Sequence, residues 1–117
     1  MLTREFAEHF ASEWIDAWNN HDLTRILSHY TDEFVMSSPR IAVLAKEPSG
    51  TLQGKAAIGA YWTKALESAP ALKFELISTL VGADSLTLYY KGVRGMAAEV
   101  FFFDQRGKVV RACAHYS

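Results

Sequence analysis

Cysteine is nearly absent from this sequence: Cys113 is the only one in 117 residues, so no intrachain disulfide can form. Long apolar runs are missing as well. None approaches the ~20 residues needed to cross a bilayer. The opening MLTREFAEHF is charged and amphipathic where a signal peptide would be apolar. A cytoplasmic location is therefore expected. Neither sign of charge is in excess, with 12 Lys and Arg interspersed among 13 Asp and Glu. Nucleic acids and anionic membranes are held by basic patches, so neither is expected as a partner. There is no Gly-rich phosphate loop. His9, His21 and His29 lack metal-ligand spacing and clustered carboxylates. No cofactor and no metal is expected. With no repeats, low-complexity segments or linkers, the chain reads as one domain over residues 1–117.

What is present is apolar and aromatic. Half of the residues are hydrophobic, enough to bury a core without staples. The 3 Trp, 5 Tyr and 7 Phe can fill a core, and they can also line a pocket or an interface.

Periodicity divides the chain into helices at the front and strands at the back. Phe6, Phe10, Trp14 and Trp18, with Ala7, Ala11 and Ile15, form one broad helical face. Asn19-Asn20-His21 breaks it. Asp22 offers an N-cap to a short second helix with Leu23, Ile26, Leu27 and Tyr30 on its buried side. Glu33 to Ser38 reads as a strand stopped by Pro39. Arg40 to Gly54 is weakly patterned and reads as a connection, either a hairpin or a mobile flap. A third helix carries Ile58, Tyr61, Trp62, Ala65 and Leu66 and ends at Pro70. Four strands follow. Leu72, Phe74, Leu76 and Leu80 alternate with polar residues in the first. Leu86, Leu88 and Tyr90 do so in the second. Met96 to Phe103 is apolar on both faces except for Glu99, and Lys108 to Ser117 is the last strand. Short turns make these neighbours antiparallel. Helices can cover one face of the doubly apolar strand. A partner subunit is the simplest cover for the other, so a homodimer through the sheet is expected.

This order resembles the nuclear transport factor 2-like superfamily, which includes SnoaL-like proteins and ketosteroid isomerases. The resemblance rests on FASEWIDAWNNHDLTRILSHYTDEFV, on SSP after the first strand, on LQGKAAIGAYW and on VFFFDQRGKVVRACAHY, and it spans essentially the whole chain. It implies an α+β fold: three N-terminal helices packed on a strongly curved antiparallel sheet, forming a cone with an internal pocket. The family hosts isomerases, dehydratases, epoxide hydrolases, cyclases and proteins without catalysis, so the fold leaves function open.

Strand alternation and the resemblance together nominate the site. Phe74, Leu88, Tyr90, Ala112, Ala114 and Tyr116 fall on the inward parity of their strands, while Arg111, Cys113 and His115 point outward. Trp14, Trp18, Tyr61, Trp62 and Leu66 lie on apolar helix faces. Phe34, Met36 and Phe101 join them on strands. The resemblance places Glu99 where ketosteroid isomerases hold a protonated aspartic acid. It puts Ser38 where they carry the general base, Trp14 at their oxyanion-hole tyrosine, and Tyr30 and Trp62 at two further pocket tyrosines. A serine without an activating partner is too weak a base for that reaction, so steroid isomerisation is not expected. Glu99 remains the one candidate acid or base. Its two readings are a pocket carboxyl with a raised pKa and a structural carboxylate paired with Arg111, Lys108 or Arg94. Arg40 is either solvated or a guard at the pocket mouth that attracts a carboxylate ligand. Three functions follow. The first is binding of an apolar small molecule. The second is cofactor-free isomerase, dehydratase or cyclase chemistry through Glu99. The third is a dimeric interaction module with a filled core.

Overall fold

The computed structural model describes residues 1–117. The first helix, α1, spans Arg4–Asn19 and is capped by Thr3, whose hydroxyl accepts from the Phe6 N–H. Its apolar face buries Ala7, Phe10, Ala11, Trp14, Ala17 and Trp18. The short α2, Leu23–Leu27, is capped by Asp22 as its sequence suggests. Tyr30 does not belong to it. It opens the strand β1, Tyr30–Ser37, which is longer at its front than expected.

The weakly patterned connection is structured. Ser38 follows the strand and caps a helix, its Oγ accepting from the Arg40 N–H at 3.1 Å. Pro39 then occupies the first turn of α3, Pro39–Leu44, where a missing N–H costs nothing. After a turn, Thr51–Gln53 forms β2 and pairs antiparallel with β1, Leu52 opposite Met36. The fold thus has four helices where three were expected. The last of them, α4, spans Lys55–Ser68 and buries Ile58, Gly59 and Trp62. No helix is long and apolar enough to cross a membrane.

The strands β3 (Glu75–Val81), β4 (Ser85–Lys91), β5 (Met96–Phe103) and β6 (Val109–Tyr116) form a meander. The six-stranded sheet has the order β2-β1-β6-β5-β4-β3. It is curved and unclosed, and it is not wholly antiparallel, because β1 runs parallel to β6. Irregularities interrupt β3 at Ile77 and β6 at Val110. Each inserts one residue and reverses the parity beyond it. Leu80, which alternation sets in one apolar series with Leu76, therefore points outward opposite Thr87 and is 56 % exposed. All four helices sit on the concave side, and 22 buried hydrophobic residues form one core there.

Candidate functional site

The packing inside the cone has two regimes. At the narrow end it is solid. Phe101 meets Phe10 and Trp14 edge-on, with ring centroids 5.0 and 5.3 Å apart. Tyr30 lies tilted against Phe34, ring centroids 4.3 Å apart, and accepts a hydrogen bond from the Trp14 indole N–H at 2.9 Å. At the wide end the helices stand away from the sheet and leave a cavity of about 640 Å³. That is a volume suited to a small organic molecule.

Trp14, Trp18, Met36, Ser38, Tyr61 and Trp62 line this cavity, as do Phe74, Tyr90, Glu99 and Tyr116. Seven other candidates do not reach it. Tyr30, Phe34, Leu88 and Phe101 fill the narrow end, and Ala112 and Ala114 lie buried on the inner face of β6. Leu66 packs partly buried against the core from α4. All have inward strand parity or an apolar helix face, but that fixes only which side of its element a residue occupies. Whether a space remains above them depends on how α1 crosses, and α1 fills it with Phe10 and Trp14. Residues of the rim were missed: Val43 and Leu44 on α3, and Val93, Arg94 and Met96 at the β4–β5 turn. The available signal was Ser38-Pro39, a cap followed by a first-turn proline, which announces a helix beside the pocket mouth.

Glu99 is the only acidic side chain in the wall. It is 4 % exposed, at the middle of β5 between Leu88 and Ala114. Burial raises its pKa from 4.5 to about 7, and the hydrogen bond from the Tyr90 hydroxyl, 3.0 Å to Oε1, opposes that rise. None of the suggested ion-pair partners reaches it. Arg111 lies on the outer face over the Phe102 ring, Lys108 donates to the Ser28 carbonyl, and Arg94 stands at the rim. Burial likewise raises the Tyr90 and Tyr116 hydroxyls, and the neighbouring Glu99 adds to both. The aromatic wall is continuous. Trp14, Phe74 and Tyr90 are in mutual contact at 4.7–5.8 Å, and Trp18 meets Trp62 at 5.3 Å. The Trp18 indole N–H has no protein partner.

Ser38 holds no position of a base, since its oxygen caps α3. His115 is exposed on the outer face, its Nδ1 3.3 Å from the Ala98 carbonyl oxygen. No three His, Cys, Asp or Glu side chains gather anywhere in a group fit to hold a metal.

A curved sheet wrapped by helices around an aromatic cavity defines a cone of the nuclear transport factor 2 type. The SnoaL-like domain model matches residues 11–117, and the chain belongs to that family. A crystal structure of a SnoaL-like protein of unknown function from Burkholderia thailandensis is 55 % identical. It superposes with a TM-score of 0.96, over 98 % of this chain and 97 % of that one. More distant structures share the fold alone. A putative polyketide cyclase from Sinorhizobium meliloti is 17 % identical, with a TM-score of 0.72 over 92 % of this chain and 94 % of that one. A putative isomerase of the SnoaL-like family from Agrobacterium tumefaciens is 14 % identical, with a TM-score of 0.76 over 97 % and 98 %. None of the curated proteins compared with this chain matches it.

Proposed function

We propose that this protein binds a small, mainly apolar molecule in the cone cavity, with Glu99 and Tyr90 as its inner polar contact. The observation that carries this reading is a 640 Å³ space with aromatic walls and one buried carboxyl that no cation neutralises. A buried acid without a counter-charge is costly when ionised. In its neutral form it can donate one hydrogen bond to a carbonyl or ether oxygen. N-phenyl-1-naphthylamine, a neutral dye that brightens in apolar surroundings, tests the cavity. The dye should bind the wild-type protein. Ala65→Trp, which places an indole into the space from α4, should weaken binding at least about ten-fold. Equal binding by both proteins would place the dye elsewhere and remove support for the cavity.

A second reading is favoured by the Glu99 pKa of about 7. A carboxyl poised there can both give and accept a proton near neutrality, as isomerase or cyclase chemistry without a cofactor requires. Such a protein would catalyse uptake of solvent deuterium next to the carbonyl of a bound ketone, and Glu99→Gln would abolish it. Uptake that survives the substitution would leave the chemistry to another group.

We also infer a homodimer through the outer sheet face. Val35, Ala98, Val100, Phe102 and Cys113 are only half-buried there, and Leu80 and Tyr89 are exposed. No helix covers this side, and a second copy would dry it.

A further inference from the structure

The cavity wall carries two positive side chains, and neither has a counter-ion. Arg40 projects from α3 and Arg94 from the β4–β5 turn, and both line the mouth. The ion pairs of the molecule are elsewhere: Arg25 with Glu13 and Asp16, and Lys55 with Asp32. Arg40 is also held in place, its guanidinium carbon 3.7 Å from the centre of the Tyr116 ring. A guanidinium held over an aromatic ring still has five N–H donors, more than the Tyr116 hydroxyl beside it can take. A surface arginine with no task would extend into water. This one lies over an aromatic side chain of the cavity wall.

The single acid of the wall, Glu99, is buried, and it forms no ion pair with either arginine. An anion placed beside Glu99 would face a buried carboxyl with no cation at hand, whereas an anion at the mouth would meet two. The same wall offers apolar surface from Trp14, Trp18, Trp62 and Phe74. We propose that the ligand is an amphipathic organic carboxylate, its apolar body among the indoles and its carboxylate held at the mouth by Arg40 and Arg94. This rests on the cavity being the binding site. A bidentate guanidinium–carboxylate contact suits the remaining donors of Arg40, and Arg94, on an exposed turn, can close onto the same group.

The test uses the neutral dye as reporter and two competitors of equal chain length, sodium decanoate and 1-decanol. Decanoate should displace the dye from the wild-type protein, and Arg40→Met/Arg94→Met should weaken that displacement about ten-fold or more. Decanol should displace it equally from both proteins. Because the dye is uncharged, its unchanged binding to the double variant certifies an intact cavity. If the double variant loses the dye, Arg94→Met alone, at its exposed turn, should still cost decanoate several-fold. Decanoate curves that do not move in a dye-binding variant overturn the carboxylate assignment and leave the cavity reading standing. A wild-type protein that binds no dye, or dye binding untouched by Ala65→Trp, removes the cavity reading and this inference with it.

Discussion

Glu99 costs the fold more as pH rises. Its folded pKa of about 7 lies above the value of 4.5 that it has in the unfolded chain. The folded state therefore holds the proton more tightly. The contribution of this group to stability is complete below the unfolded pKa and is lost as pH climbs through the folded one. Glu99→Gln keeps the shape and can still accept from Tyr90. The variant should melt near wild type at pH 4 and higher than wild type at pH 8, by an amount whose upper bound is about 3 kcal/mol. Thermal melts across that interval check it, and a variant that is less stable at pH 8 would reveal a partner for the carboxylate. The Trp14–Tyr30 hydrogen bond gives a second case. Both groups are fully buried. Trp14→Phe or Tyr30→Phe each strands a polar atom, at about 1–3 kcal/mol beyond any lost packing. Denaturant unfolding of the double variant should show less than the sum of the two losses. The sequence pointed to Glu99 through the family resemblance alone, because a strand apolar on both faces has no parity to read. The pairing of Trp14 with Tyr30 is out of reach of periodicity, which reads Tyr30 into a helix it does not enter.

The sheet's outer face is the element most exposed to test. If two copies meet there, Tyr89→Asp places a carboxylate in the middle of the contact and should shift sedimentation equilibrium at micromolar concentration toward monomer. A wild-type protein that is already monomeric ends the proposal. The outward set on β6 was legible, because plain alternation holds from Arg111 to His115, whereas on β5 it follows only once Glu99 is turned inward. On β3 it was not. One inserted residue at Ile77 turns Leu80 from the inner to the outer side, and a bulge leaves no mark in a hydrophobic pattern. The α3 helix was missed for a different reason. Six residues are too few for a periodic signal, and only its cap and proline announce it. Apart from Arg40 the rim of the cavity went unseen with it, so the helices and strands that build the cone were more readable than its opening.

At the scale of the molecule, the strand order carries a consequence for synthesis. β6, the last strand in chain order, lies in the middle of the sheet, between β1 and β5. Val35 must find Arg111, and Tyr30 must find Val109. While the ribosome is still working, β1 and β2 can pair with each other, and β3, β4 and β5 can form their meander. The two pieces have no edge in common. Each presents an unpaired row of backbone groups to the surroundings, and neither can shelter Tyr30, Phe34 and Phe101 together. The nascent chain is thus two separate half-sheets until the final strand emerges and inserts between them. The cavity comes into existence only with that last act, because Tyr116 of β6 is part of its wall.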